Sequence, residues 1–573
     1  MPRPVVNPLL SSRLRRALGP TTEARQFAKA LNITPTVAEV LLRLGHADLE
    51  RTQRYLDPRL AHLTPPDGML DRAVLAERLA QAIQHRERIV VFGDYDCDGI
   101  TSTAILASAI EALGGAVVPE LASRFEGGYG LSGRALERVL AHAPKLVVTC
   151  DCGSSDHESI RELGRHNVDC LVIDHHLVPE EPLPARAFLN PHRKECPFAY
   201  KGLASCGLAL SIVAELRRRL GSKLDLRQYL DLVAIGTIAD VAPLDGDNRA
   251  LVRAGLKLLE QVERPGLRAL MKRANFDVSA PISAEDVAFR IAPRLNAPGR
   301  MGSPMVALRL LLETDDVRAE ALADDVEALQ IARRAAQERI VEQAEEDIER
   351  AGWKDDAALV LGRPEWNVGI VGIVAGKLAE RFERPVVVYG ADGDVCRGSV
   401  RGPSGAPLFD LVQSASAHLI RFGGHQAAAG LELSLARVDA FRAAFVAAVQ
   451  RHSGANVATT VEPSTVLLLD DGDDPLNVAR ELRLLEPCGC GNPAPTLGIA
   501  GRLAVARELR GGHLRVGNHV AARGADLWLC SRAGARGKDA FGFGVTRRLP
   551  SHLHVLGAGT RGGIGFVHRA LGW

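Results

Sequence analysis

The chain has 573 residues, 46% of them apolar and 24% charged, a composition that excludes disordered and fibrous classes and leaves a folded protein of roughly three to five domains or lobes. Its 70 Lys and Arg nearly cancel its 69 Asp and Glu, so net charge neither supports nor excludes a nucleic-acid partner. Any such contact needs a local basic groove set against a local acidic site.

The ten cysteines form no C-x-x-C pair, which removes zinc-ribbon and thioredoxin readings and makes reduced thiols the default. Residues 1–20 hold Arg but no continuous apolar stretch, and nothing later approaches the ~18 apolar residues of a membrane span. A cytoplasmic protein with no membrane contact is the expectation.

In chain order, residues 34–60 place Val37, Val40, Leu41 and Leu44 at helical spacing before the break Leu63-Thr64-Pro65-Pro66, predicting a helical segment over 1–70. From Asp71 the pattern turns to β-rich runs at 89–92, 146–149 and 171–173 separated by helix-like stretches, which predicts a parallel α/β domain over 71–255. A connecting region over 256–350 follows. Within it residues 315–350 lack Pro and Gly and repeat Val317, Leu322, Val326, Leu329, Ile340 and Ile348 amid charge, which predicts one long exposed helix.

A second α/β unit over 351–452 is read from strands at 359–361 and 385–388 with a helix between Gly369 and Phe382. Residues 453–573 turn to short Gly-punctuated strand candidates at 465–469, 497–500, 514–516 and 564–568, predicting a small β-barrel. Asp470, Asp471, Asp473 and Asp474 mark a solvated loop there. The fold class is thus α/β, two lobes joined by a long helix, plus a C-terminal barrel.

The sharpest local signal is Gly93-Asp94-Tyr95-Asp96-Cys97-Asp98-Gly99, where a strand ending at Phe92 meets a helix starting near Thr101. Three carboxylates in one turn repel one another unless a cation holds them, and hard oxygen ligands suit Mn²⁺ or Mg²⁺. A Ca²⁺-like structural loop or a solvated turn is the plainer alternative for this motif alone. The arrangement recurs, because the strand at 146–149 ends in Cys150-Asp151-Cys152-Gly153 and the strand at 171–173 ends in Asp174-His175-His176. Three parallel strands would then deliver acid or imidazole to the edge where open α/β sheets bind ligands, which points to a dinuclear metal site. Asp240, closing the apolar run 234–239, reads by itself as a helix end, and only the other motifs promote it to a ligand.

The ordered set Asp94-Tyr95-Asp96-Cys97-Asp98-Gly99, Asp151, Asp174-His175-His176 and Ala239-Asp240 resembles the four motifs of the DHH phosphoesterase superfamily. Further similarity lies in 124–132 (Arg-Phe-Glu-Gly-Gly-Tyr-Gly-Leu-Ser), 293–301 (Pro-Arg-Leu-Asn-Ala-Pro-Gly-Arg-Met), 369–375 and the glycine-rich 423–430, and covers roughly 41–495. These matches point to the branch that degrades single-stranded DNA. The resemblance implies a DHH domain, a DHH-associated domain and an OB-fold-like nucleic-acid-binding barrel. It implies hydrolysis from the 5′ end to 5′-mononucleotides in DNA repair and recombination, with two Mn²⁺ or Mg²⁺ ions. It also implies the partners: single-stranded DNA with a 5′ end, a single-strand-binding protein and a RecQ-type helicase, around a monomer.

The resemblance further implies Asp94, Asp96, Asp98, Asp151, His175 and Asp240 as metal ligands, with Asp151 bridging and acting with His176 at the scissile phosphate. Ser399 and Arg401, in 396–402, would form a 5′-phosphate pocket, a stretch that otherwise reads as a surface turn. Arg124 and Arg294 would line the DNA path, with His425 near the site. His157 reads as a solvated helix-start residue and is set aside. The chain departs from some relatives in carrying Phe92 where they place a His, and Asn367 after Trp366. Phe541, Phe543 and Phe566 read as barrel core rather than base-stacking platforms. Compact DHH hydrolases of nanoRNA or cyclic dinucleotides share the ligands but lack the appended segments, and a non-catalytic DHH-derived replication scaffold would have lost the ligands.

Overall fold

The computed structural model describes residues 19–277, 280–455, 467–470, 472–495, 497–498, 502–509, 513–519, 526–531 and 543–544. It begins with α1 (Thr22–Leu31), α2 (Pro35–Arg43) and α3 (Leu49–Leu56). The side chains of Thr21 and Asp48 cap α1 and α3 by accepting amide hydrogens of the first turn, which is why the helices start there.

After α4 (Arg72–Gln84) the first lobe is a parallel sheet of β1 (Arg88–Gly93), β2 (Ala116–Leu121), β3 (Leu146–Cys150), β4 (Asp169–Ile173) and β5 (Ala187–Leu189), in the order β2-β1-β3-β4-β5. Successive residues feed opposite faces. Val91, Val148 and Ile173 enter one core while Val90, Val147 and Val172 enter the other, so the strands read as continuous apolar runs. The connections are α5 (Cys97–Ala112), α6 (Gly133–Ala141) and α7 (His157–Arg165). The chain passes from β1 to β2 on one side and returns to β3 on the other, so the carboxyl ends of β1 and β3 open a crevice where the winding reverses.

Helices α8 (Ser205–Arg219), α9 (Leu230–Ala239) and α10 (Gly246–Leu259) complete the lobe, with α8 and α9 packed on α5. Beyond α11 (Pro265–Arg273), a π-turn at Val287–Ile291 leads into α12 (Ala292–Met301) and α13 (Met305–Leu312). The helix expected at 315–350 is α14 (Asp316–Ala351), but it is not simply exposed. Ala323 and Val326 of its first half enter the core of the first lobe, and Ile340, Ala344 and Ile348 of its second half enter that of the second lobe. Ion pairs flank it on both sides, Arg273 with Glu320 and Asp324, and Arg381 with Glu345. It is a beam held at both ends.

The second lobe is a mixed sheet of β6 (Leu359–Gly362), β7 (Val386–Asp392), β8 (Val395–Arg401), β9 (Arg421–His425) and β10 (Ala428–Ser434), ordered β6-β7-β8-β10-β9, with only β6 and β7 parallel. It is covered by α15 (Val371–Phe382), α16 (Leu408–Gln413) and α17 (Val438–Ala455). The 396–402 stretch lies mostly in β8 and is a strand rather than a surface turn.

The expected barrel strands at 465–469 and 497–500 need correction. Short β11 (Leu467–Leu468) and β12 (Leu497–Gly498) pair in parallel with each other, and Leu467, Leu497 and Val478 of α18 (Pro475–Leu482) share a core with Ala24, Val37 and Leu41. Burial against the N-terminal helices outweighs any preference for the later strands. Those strands are β13 (Arg502–Leu509), β14 (His513–His519), β15 (Asp526–Ser531) and β16 (Phe543–Gly544), an antiparallel sheet. The strand expected at 564–568, with Phe541 and Phe566, lies outside the described residues. Among the described residues no helix is long and apolar enough to cross a membrane, and the nine cysteines from Cys97 to Cys490 are free.

Candidate metal centre and nucleic-acid cleft

The acidic turn between β1 and α5 is built by local rules. The Asp96 Oδ1 atom caps α5, accepting the amides of Asp98 and Gly99 at 3.0 and 3.2 Å. Gly99 is obligatory there, because an added Cβ would lie 2.4 Å from the Asp94 carbonyl oxygen. Asp94 is buried, and Asp151, directly after β3, is buried with φ +62°. A left-handed conformation at a non-glycine residue is strained, and its place among converging carboxylates marks a site.

Oxygens of Asp94, Asp96 and Asp151 lie within 4.8 Å of one another, as do ligand atoms of Asp98, His175 and Asp240, and of Asp151, His175 and His176. The His175 Nε2 atom is 3.2 Å from Asp151 Oδ1, 3.6 Å from Asp240 Oδ2 and 4.0 Å from Asp98 Oδ2. Yet it is buried without a hydrogen-bond partner, as is Asp94 Oδ1. A buried, unsatisfied imidazole nitrogen ringed by carboxylate oxygens is the donor set of a divalent cation with oxygen and nitrogen ligands. Burial, then the mutual repulsion of the carboxylates, pushes Asp94 and Asp151 well above the usual range and Asp240 up to about 8. A divalent cation would relieve that repulsion, and the donor set fits one.

Two members of the motifs do other work. Both oxygens of Asp98 are engaged, accepting the Ser205 and Cys206 amides at 2.7 and 2.9 Å, so it fastens the start of α8 while remaining in the cluster. Asp174 accepts the His175 and His176 amides, the His176 ring at 2.8 Å and the Ser154 amide. Burial opposes its ionisation, but the His176 contact prevails and holds Asp174 at about 2; His176, despite burial, rises to about 9. The Tyr129 hydroxyl lies 3.2 Å from His176 Nδ1 and donates to the Asp151 carbonyl at 3.2 Å. The Ser205 hydroxyl is 3.2 Å from Asp151 Oδ1. The sequence motifs include Asp174 and Tyr129 without giving either a role and give no signal for Ser205, because each acts through a contact rather than as a ligand.

Arg124 stacks on the Tyr95 ring at 3.8 Å with its Nε buried and unpartnered. Arg401, on β8, lies close enough to Arg124 that burial and then this like charge lower its pKa. A Cβ on Gly372, in the first turn of α15, would stand 3.1 Å from Ser399 Oγ and 3.5 Å from Arg401 Nη2, so a helix start, a hydroxyl and a guanidinium converge.

Arg294 is not part of this group. It is buried and ion-paired to Glu327 of α14 at 2.6 Å, because it lies on the side of α12 that packs against that helix. Arg300, further along α12 in the same motif, takes the place in the cleft, and burial and then Arg124 lower its pKa to about 9. Among the described residues Arg124, Arg300 and Arg401 form no carboxylate ion pair. His425 sits exposed on β9, two strands from Arg401 through Ala428. Phe92 is fully buried in the sheet core and supplies no ligand, and Asn367 caps the turn into α15 by accepting the Gly369 amide. His157 is not solvated; it is buried between the Ser155 and Glu181 carbonyls.

A two-lobed α/β protein with this cluster at the sheet's reversal point is of the DHH class: the model of the DHH family, N-terminal domain, matches residues 88–237 and that of the DHHA1 domain matches 355–451. The chain is 38% identical over 525 residues to the single-stranded-DNA-specific exonuclease RecJ of Dickeya dadantii, spanning 86% of this chain and 89% of that protein. It is 37% identical over 508 residues to the protein of that name from Thermus thermophilus, spanning 87% and 71%. The crystal structure of RecJ in complex with Mn²⁺ from Thermus thermophilus is similar at a TM-score of 0.75 and 33% identity, covering 96% of this chain and 81% of that one. The chain belongs to the RecJ family.

Proposed function

We propose that this chain is a metal-dependent exonuclease that hydrolyses phosphodiester bonds of single-stranded DNA from the 5′ end, releasing 5′-mononucleotides in DNA repair and recombination. The observation that carries the reading is the placement of three carboxylate-free guanidiniums, Arg124, Arg300 and Arg401, beside an acidic cluster with an unsatisfied imidazole. Cationic and metal-binding surfaces side by side suit a polyanion whose backbone must be both gripped and cut.

Asp94, Asp96, Asp151, His175 and Asp240 would hold two Mn²⁺ or Mg²⁺ ions, with Asp151 common to two of the ligand groups and Asp98 as the residue that fixes their frame. Bound there, such ions would supply a water nucleophile near neutral pH and charge stabilisation for an in-line displacement. His176, oriented by Asp174 and steadied by Tyr129, faces the reacting phosphate and can donate a hydrogen bond to it. Ser399, Arg401 and the start of α15 hold the terminal 5′-phosphate, Arg124 and Arg300 hold the backbone behind it, and His425 reaches the strand from β9. Arg294 is withdrawn from this set.

The segment boundaries at 70, 255, 350 and 452 describe the same division, with 467–497 working alongside the N-terminal helices. The β13–β16 sheet is assigned to an OB-type barrel that guides the strand, since OB-folds bind single strands by stacking and charge. A cytoplasmic monomer working with a single-strand-binding protein and a RecQ-type helicase completes the reading.

The test is digestion of 5′-labelled, 3′-labelled and circular single strands, and of RNA, with Mn²⁺ or Mg²⁺. Mononucleotides should come first from the 5′ end, and the circle should persist. Rapid cutting of the circle, release from the 3′ end, or substantial activity in folded Asp151→Ala or His175→Ala overturns it.

A further inference from the structure

A cavity of about 500 Å³ opens beside the cleft, lined by Phe125, Glu126, Glu120 and Arg138 on one side and Met301 and Met305 on the other. Its two walls begin at residues that directly follow cleft arginines: Phe125 follows Arg124, and Met301 follows Arg300. Both walls therefore adjoin the guanidiniums assigned to the strand's phosphates.

The cavity's chemistry selects a base over a phosphate. Glu120 and Glu126 flank Arg138 at 3.8 and 2.8 Å, so two carboxylates face one guanidinium and the wall carries net negative charge. The His142 ring sits on Glu120 Oε1 at 2.9 Å and Arg138 donates to Glu126 Oε2 at 2.8 Å, so each carboxylate has one oxygen engaged and a second that can accept. Such a wall repels a phosphate but offers acceptor lone pairs to amino groups on a base edge. On the same side Phe125 is 37% exposed, and across the cavity the thioethers of Met301 and Met305 form an adaptable apolar wall. The volume falls within the roughly 300–1,000 Å³ of small-molecule pockets, enough for one planar heterocycle and too small for a helix or strand of another protein.

The ring is also held in place. The Ser123 Oγ accepts the Phe125 amide at 3.3 Å, Ser123 and Gly128 form a bridge, and Gly127 and Gly128 take φ of +102° and +84° to close the turn. A residue at the tip of a braced turn can stack without first being ordered.

We propose that this cavity is a nucleobase subsite, in which one base of the substrate strand stacks on Phe125 between the phosphates held by Arg124 and Arg300. It rests on the single-strand reading above. It makes the enzyme sensitive to the presence of a base at one fixed distance from the end.

The experiment uses the full chain in chelator and 5′-phosphorylated single strands that each carry one abasic position, moved stepwise from the 5′ end, with affinity read by fluorescence anisotropy. Base stacking of about 1–3 kcal/mol corresponds to a loss of roughly 5- to 150-fold. The wild-type chain should show that loss at one position only. Phe125→Ala should lose similar affinity for the intact strand and show no further loss at that position, while Phe125→Trp keeps the wild-type profile. Thermal unfolding of both variants should match the wild type, since the ring is at the surface. A flat wild-type profile, or the same single dip in Phe125→Ala, overturns the subsite. Should the intact strand be neither bound nor degraded when Mn²⁺ is restored, the single-strand reading itself fails, a separate outcome.

Discussion

Arg294 and Arg300 belong to one motif and one helix, α12, yet they have opposite surroundings, and the difference is measurable. Arg294 is buried against Glu327, so Arg294→Gln should leave Glu327 uncompensated and lower stability by about 2–3 kcal/mol with little change in DNA affinity. Arg300→Gln should instead weaken single-strand binding about tenfold and reduce the salt dependence by about one phosphate contact, with stability kept or raised. Parallel urea titrations and salt-varied anisotropy decide between them; equal effects on binding would restore Arg294 to the path. The same scale governs pH. Asp240 titrates near 8 in the fold, against about 4 for a free carboxyl. A folded-state pKa raised in this way contributes stability that is complete below about pH 4 and is lost as pH rises through about 8. Asp94 and Asp151 act in the same direction. The chelated protein should therefore melt at progressively lower temperature from about pH 5 to 9, and Mn²⁺ should flatten that decline because the cation replaces the protons. Parallel curves with and without Mn²⁺ would exclude these carboxylates as the ligands.

At the scale of elements, the acidic turn works because a strand end and a helix start meet with almost no space between them. Gly99 lies against the Asp94 backbone, so Gly99→Ala must displace either the end of β1 or the first turn of α5. A cost of about 2–3 kcal/mol in thermal unfolding is expected, together with a loss of Mn²⁺ affinity by calorimetry that is larger than the stability change alone would give. Unchanged metal affinity would show that the carboxylates tolerate the shift. The neighbouring Gly153, at φ +107°, makes the corresponding turn after β3, where a Cβ would meet Thr149 Oγ1 at 2.5 Å. Three strand ends thus reach one crevice through tight turns rather than through long loops, which keeps ligand positions as rigid as the sheet.

Across the whole molecule, one buried side chain joins three regions far apart in sequence. Arg249 of α10 stacks on Tyr55 at 3.8 Å and donates to the carbonyls of Tyr55, Leu484, Leu485 and Pro487. It ties the first lobe to α3 and to the 467–497 segment. Arg249→Met keeps the volume but orphans several buried carbonyls, so a loss of about 3 kcal/mol or more is expected in urea unfolding, with earlier proteolysis in the N-terminal helices. Wild-type resistance in that variant would mean the shared apolar core of Leu41, Leu467 and Leu485 suffices without it. The α14 beam acts over the same range, setting the second lobe's Ser399 and Arg401 against the first lobe's Arg124.

Local chemistry makes the first lobe and the metal cluster legible before any coordinates. Apolar runs that alternate with helical patterns encode a buried parallel sheet, and carboxylates or imidazoles at three strand ends converge because parallel strands place all their carboxyl ends on one edge. The long helix is equally visible, since 36 residues without Pro or Gly have no local reason to stop. Facing is not legible. Whether Arg294 or Arg300 enters the cleft depends on which side of α12 packs on α14, whether 467–497 joins a barrel or the N-terminal helices depends on which apolar partner is nearer, and the roles of Asp174, Tyr129 and Ser205 exist only as contacts. Motifs report backbone geometry and donor chemistry, which are local; the direction in which a side chain points is settled by burial against residues distant in the chain, and that is decided only when the chain packs.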